Sequence, residues 1–297
     1  MRVKVSVKGA SSIVTLPFEE YVAGAVRAEV LPSTLRARSA SAALDAQAVV
    51  SRTYAAANLG RHAAEGYDLC DTTHCQVYRP APPGDAQGDA AARAVWATRG
   101  MVLTYAGRVI QALFHADCGG RTAAAATVWG GTEAPYLESV EDWWCTGRPE
   151  ARWTFAAEER GLLQALNADA RTRVGERMQR VEIVSRDASG RALAVTLVGS
   201  KTISIRAETF RAVVTQAFGA RSIRSTRFEA SRDGARLRFA GVGFGHGVGL
   251  CQGGTARRAE AGQTPAEILA HYFAGTRLQS GRPARARPEL AGSLFSR

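Results

Sequence analysis

The chain has 297 residues, of which 46% are hydrophobic and 22% charged, ordinary globular proportions that exclude global disorder. No apolar run approaches the ~20 residues needed to span a membrane. The formal net charge is +11, from 38 Lys and Arg against 27 Asp and Glu, and Lys4, Lys8 and Lys201 are the only lysines.

The opening Met1-Arg2-Val3-Lys4-Val5 alternates like a strand. It is not a charged segment followed by an apolar core, so no signal peptide is visible. Residues 3–7 and 13–16 are expected to form a short hairpin. Pro17 and Phe18-Glu19-Glu20 open a helix running to about Val30, with Tyr21, Val22, Ala25, Val26 and Glu29 at helical spacing. Pro32 ends it, because the residue before a proline is pushed to extended geometry. A second helix is expected over about 37–59, with Leu44, Ala48, Ser51, Arg52 and Ala55 near one face. Residues 60–83 form a polar loop region, and a helix follows at about 86–98. Met101–Tyr105 and Val109–His115 read as a hairpin around Ala106-Gly107-Arg108.

The loop 117–144 is too long for a mere connector. A helix carrying Leu162, Leu163 and Leu166 is expected within 153–180. Strand, turn at Ser189-Gly190, strand, strand and short helix follow over 181–215. Phe228–Ala240 reads as a hairpin turning at Asp233-Gly234. In residues 241–254 glycine recurs at every second position from Gly241 to Gly249, with His246 at the centre. Such a run makes a poor helix or strand; it suits either a ligand-contacting surface or a tight structural crossover. Thr264-Pro265-Ala266-Glu267 is a capping box with proline at the first helical position. Residues 280–297 turn to Arg, Pro, Ala and Gly, the composition of a mobile basic tail.

Glu29 is the carboxylate best suited to chemistry. The carbonyl end of a helix disfavours an anion, and the apolar neighbours Val26, Val30 and Leu31 add desolvation. Both effects raise its pKa toward that of a general acid. Cys70, His74 and Cys75, with His62 upstream, offer two thiolates and two imidazoles to a tetrahedral zinc ion. A Cys70–Cys75 disulfide is an equally good reading of the spacing. The five cysteines are an odd number, so they do not close a disulfide framework; Cys118 and Cys145 could pair across the long loop in an exported protein. The arginine excess suits nucleic acid or an anionic envelope. The aromatic–basic interleaving of single-strand binders is missing, and a general preference for Arg and Ala explains the same excess.

The ordered motifs resemble the stage II sporulation protein D family (the SpoIID/LytB domain) over about residues 16–277. They are Tyr21-Val22-Ala23-Gly24-Ala25-Val26 leading to Glu29-Val30-Leu31-Pro32, then Ala46-Gln47-Ala48-Val49-Val50-Ser51-Arg52-Thr53-Tyr54 and Cys75-Gln76-Val77-Tyr78. Phe114-His115-Ala116-Asp117-Cys118-Gly119-Gly120-Arg121-Thr122, Val128-Trp129-Gly130-Gly131, Pro135-Tyr136-Leu137, Gly245-His246-Gly247-Val248-Gly249 and Ile268-Leu269-Ala270-His271-Tyr272-Phe273 follow.

The resemblance implies an α+β fold with a helical N-terminal part, antiparallel sheets and a smaller inserted α/β subdomain. The family domain would span 1–279, with 150–230 as the insertion and 280–297 as the tail. It implies a lytic transglycosylase acting on peptide-stripped peptidoglycan glycan strands, with Glu29 as sole general acid and base. No cofactor is required for that chemistry, and zinc would be structural. Arg52, Thr53, Tyr54, His115, Trp129, His246 and Gln252 would line the cleft. Leu250-Cys251 stands where relatives often carry methionine-serine, and Asp45 replaces a more usual lysine, an exposed change. A periplasmic or cell-envelope setting is expected, and nucleic acid is not an expected partner. A non-catalytic wall module that activates an amidase is the second reading.

Overall fold

The computed structural model describes residues 1–7, 10–30, 34, 40–131 and 134–280. The Pro32 helix stop, the first residues of the expected second helix and the basic tail beyond Ser280 lie outside the described residues. The class is α+β, with helices and mainly antiparallel sheets in two compact units. No helix among the described residues is long and apolar enough to cross a membrane.

The first unit comprises Met1–Phe114, Gly131–Tyr136 and the described residues from Thr255. Its sheet pairs Arg2–Val7 antiparallel with Ala10–Thr15 and parallel with Leu69–Cys70. The helices Phe18–Glu29, Ala40–Ala57 and Ala86–Ala97 pack on one another. Helix Phe18–Glu29 follows Pro17, carries Glu19 and Glu20 in its first turn, and gives way to an extended Val30. Acidic groups there complement the positive end of the helix. Its Tyr21, Val22, Ala25 and Val26 join Val3, Leu44, Ala48, Ala55, Leu69 and Val95 in one core.

The hairpin expected around 106–108 forms with a shorter second strand, and tertiary pairing adds a distant third strand. Met101–Tyr105 pairs with Arg108–Val109 through a turn at Ala106 and Gly107, where φ is +49° and +75°. The strand on its other side is Arg277–Ser280, matched Arg277 to Thr104. Periodicity cannot report a partner so distant in the chain. Asp45, expected at the surface, is half-buried, and burial pushes its carboxyl up.

The second unit comprises His115–Gly130 and Leu137–Gly254. One antiparallel sheet orders Phe228–Asp233, Arg236–Val242 and Arg152–Glu158; the other orders Thr202–Arg206, Ala192–Gly199 and Met178–Arg186. In Arg236–Val242, buried Leu237 and Phe239 alternate with exposed Arg236, Arg238 and Ala240, the period of a sheet covered on one face. Helices Glu159–Ala168 and Ala207–Phe218 supply Leu162, Leu166, Phe210 and Val214 to the shared core. The capping box at Thr264 and Glu267 and the turn at Gly234, with φ +58°, form as expected.

Candidate functional site

Glu29 is the last residue of its helix, and the Val77 backbone N–H donates to its Oε1 at 2.7 Å. Burial pushes its carboxyl up to about 7 from 4.5, against the opposing pull of the Val77 amide and the Arg79 charge. Glu29 is half-buried, and desolvation outweighs a good hydrogen bond here because it acts on the charge of the whole carboxylate while the amide serves one oxygen. The Tyr21 hydroxyl, stacked by its ring on Tyr78, is buried within electrostatic reach of Glu29.

The segment that supplies the Val77 amide also carries the thiols. The ligand atoms of His62, Cys70, His74 and Cys75 all lie within 4.8 Å of one another. His62 Nε2 is 3.3 Å from Cys75 Sγ, and His74 Nδ1 is 3.5 Å from Cys75 Sγ and 3.7 Å from Cys70 Sγ. A tetrahedral zinc with ordinary bond lengths separates nitrogen and sulfur ligands by about 3.5 Å. The other ring nitrogen, His62 Nδ1, meets Glu65 Oε1 at 2.7 Å, and Tyr67 donates to Glu65 Oε2 at 2.9 Å. A carboxylate behind a ligating imidazole fixes its tautomer and orientation. The donor set therefore fits structural zinc, and both cysteines carry free sulfurs.

Arg52, Thr53 and Tyr54 follow one another on the Ala40–Ala57 helix and are all buried. Arg52 donates to both oxygens of Glu19, at 2.8 Å from Nη2 to Oε2, and to the carbonyls of Val95 and Met101. Thr53 Oγ1 donates to Val49 O and accepts from Leu103 N. Tyr54 accepts from Arg61 at 3.3 Å. The geometry of Arg52 and Thr53 ties helices to the Met101–Tyr105 strand.

In the second unit His115, Trp129 and His246 come together. The His246 ring lies 5.1 Å from Trp129 and 5.7 Å from His115, centroid to centroid. Trp129 and His246 are half-buried, as is Gln252, which opens the Gln252–Glu260 helix. His115 is 4% exposed, and its Nδ1 meets Val248 O at 3.1 Å. Burial, with Arg191 adding, pushes the His115 imidazole down to about 3.

The glycine run serves close approach to its own chain. Gly243, Gly245, Gly247 and Gly249 have φ of +88°, +98°, +86° and +73°. A Cβ at Gly245 would stand 2.9 Å from His115 Cβ, and one at Gly247 2.3 Å from Arg191 Nε. Phe244 and Asp117 exchange backbone hydrogen bonds, and Ala123 N donates to Gly247 O. The structural-crossover reading accounts for these glycines.

Val77 and Glu65 escaped sequence reasoning. A backbone donor leaves no mark in side-chain chemistry. Glu65 did leave one, an acid three residues after a histidine.

A family model described as stage II sporulation protein matches residues 6–105. The chain is also 30% identical over 281 residues to stage II sporulation protein D of Bacillus subtilis (strain 168), covering 90% of this chain and 76% of that protein. The chain belongs to the stage II sporulation protein D family. The corresponding protein of Bacillus amyloliquefaciens is 29% identical, with coverage of 89% of this chain and 74% of that one. An amidase enhancer of Bacillus subtilis (strain 168) is 27% identical, covering 84% of this chain but 40% of its own length. A second model, described as a domain of unknown function, matches residues 144–249. Glu29 and the His62, Cys70, His74 and Cys75 cluster fall inside the family match, as do Arg52, Thr53 and Tyr54.

Proposed function

We propose that this protein acts on the bacterial cell wall as a lytic transglycosylase, cleaving the linkage between MurNAc and GlcNAc in peptide-stripped glycan strands. The observation that carries the reading is Glu29: a desolvated carboxyl at a helix end, held by the Val77 amide, within the part of the chain that matches the family.

Oε1 faces the Val77 N–H, so the neutral acid carries its proton on Oε2. That proton passes to the glycosidic oxygen as the bond from the anomeric carbon breaks. The 6-hydroxyl of the same MurNAc attacks the anomeric carbon and returns its proton to the carboxylate. The product is a 1,6-anhydro sugar, and Glu29 ends the cycle as it began. Most glycosidases need a second carboxylate for water or a covalent intermediate; an internal nucleophile removes that need. Zinc on His62, Cys70, His74 and Cys75 would act as a clamp on the loop that presents Val77. The half-buried Trp129 and His246 rings are suited to stacking on sugar faces. The setting is extracytoplasmic, where the substrate lies, and the net positive charge favours an anionic envelope.

Mass spectrometry of peptide-free strands incubated with the protein tests the proposal. Anhydro-ended fragments support it, and reducing ends mean hydrolysis. The similarity to an amidase enhancer favours a second reading, a module that stimulates a wall amidase. Glu29→Gln separates them, because it abolishes cleavage by the enzyme and spares the activator.

A further inference from the structure

A second group of metal-ligand side chains lies entirely within the second unit. We infer that Cys118, Asp142, Cys145 and Cys251 form a structural Zn²⁺ site, separate from the His62, Cys70, His74 and Cys75 cluster.

The ligand atoms of these four residues all lie within 4.8 Å of one another, and each residue is buried, with exposure of 0%. Cys145 Sγ is 3.5 Å from Cys251 Sγ, and Cys118 Sγ is 3.5 Å from Asp142 Oδ2. Tetrahedral zinc places sulfur ligands about 3.8 Å apart and a sulfur and an oxygen about 3.6 Å apart. The grouping is too tight to bracket an iron–sulfur core, whose iron and sulfide atoms hold the protein sulfurs further from one another. Three thiolates favour a soft, borderline cation over magnesium or calcium.

The backbone is arranged for anionic sulfur. Cys118 N donates to Cys251 Sγ at 3.2 Å, Gly254 N to the same sulfur at 3.4 Å, and Gly120 N to Cys118 Sγ at 3.3 Å. Three thiolates and a carboxylate on Zn²⁺ leave a net negative centre, which needs compensation in a dry interior. Two arginines supply it. Arg191 is 1% exposed, and its Nε and Nη2 lack a hydrogen-bond partner among the described residues. It lies within electrostatic reach of Cys118, as Arg148 does of Cys145 and Cys251.

The ligands come from three places: the turn at 117–120, the short turn at 142–145 and the end of the glycine run. With all four positions filled by protein there is no open site for catalysis. The ion would staple the long 117–144 loop to the run that carries His246. Binding of this kind is coupled to folding, since the unfolded chain holds no preformed site.

The test is zinc content of the reduced, full-length protein by inductively coupled plasma mass spectrometry. Cys145→Ser/Cys251→Ser is expected to lose one zinc equivalent relative to the parent. His62→Ala/His74→Ala, which leaves this unit untouched, is expected to retain one equivalent, with an X-ray absorption shell of sulfur and oxygen and no imidazole. That second variant decides the matter if the cysteine variant does not fold. Zinc content unchanged in the cysteine variant would overturn the inference. So would a zinc-free but folded histidine variant, or a disulfide among Cys118, Cys145 and Cys251 in the non-reduced peptide map.

Discussion

Replacing Glu29 by Gln removes the ionisable group and keeps an oxygen for the Val77 amide. With its carboxyl at about 7 rather than 4.5, about half of the molecules hold the catalytic proton at neutral pH, against about one in 300 for an ordinary glutamate. Cleavage should therefore be high at pH 5–6 and fall through about 7 as the acid ionises. Loss of the sole general acid should lower the rate by about 10³-fold, or ~4 kcal/mol of transition-state stabilisation.

The same shifted ionisation makes stability depend on pH. Between 4.5 and about 7 the unfolded chain releases the Glu29 proton while the folded chain keeps it, so rising pH favours unfolding across that window and has no further effect above it. At about 1.4 kcal/mol per pH unit, the loss reaches at most about 3 kcal/mol. Glu29→Gln escapes it. The variant should match the parent in denaturant melts at pH 4 and exceed it by up to about 3 kcal/mol at pH 8. Undiminished cleavage by Glu29→Gln refutes the assignment. A stability gap equal at both pH values refutes the desolvation argument on which it rests.

Arg52→Ala strands the Glu19 carboxylate, whose side chain is only 17% exposed, and should cost about 3–5 kcal/mol in chemical denaturation; a loss under 1 kcal/mol would deny the pair a structural role. Gly247→Ala places a Cβ 2.3 Å from Arg191 at a φ of +86° and should cost about 2–4 kcal/mol. Gly234→Ala, at φ +58° with nothing within 4 Å, should cost only about 1 kcal/mol, and equal losses would show that crowding at Gly247 is relieved. The His115 imidazole, held down to about 3, should show no titration by NMR between pH 5 and 8. The unfolded chain gains that proton as pH falls through about 6.5, so His115→Gln should relieve part of the acid destabilisation; a titration near neutrality would contradict its burial. Stripping metal with 1,10-phenanthroline should loosen the Val77 amide from Glu29 and reduce cleavage, with recovery on adding Zn²⁺. Cleavage indifferent to the chelator would uncouple the thiol–imidazole cluster from the acid.

Local chemistry made much of this molecule legible in one dimension. The helix over Phe18–Glu29 follows from Pro17, two leading glutamates and a 3.6-residue apolar stripe, and that stripe puts Glu29 at the helix end beside apolar neighbours. The box at Thr264 and Glu267 and the turn at Asp233-Gly234 are equally local, set by hydrogen bonds and φ preferences a few residues apart. His62, Cys70, His74 and Cys75 lie close enough along the chain for their chemistry to suggest a shared ion.

Where contacts join distant segments, composition was silent. The family resemblance puts Arg52 along the cleft; the structure buries it and bonds it to Glu19, Val95 and Met101, partners that belong to other elements. The alternating glycines announced a close approach without naming what approaches, which proves to be Arg191 and the His115–Cys118 segment. Cys118, Asp142, Cys145 and Cys251 are scattered over more than a hundred positions, and only folding brings their donor atoms within 4.8 Å. Helical and turn propensities act over one or two turns of chain, whereas desolvation and ligand geometry depend on which remote segments share a volume. Residue type therefore dictated the elements and the candidate acid, and packing assigned each buried polar group its partner.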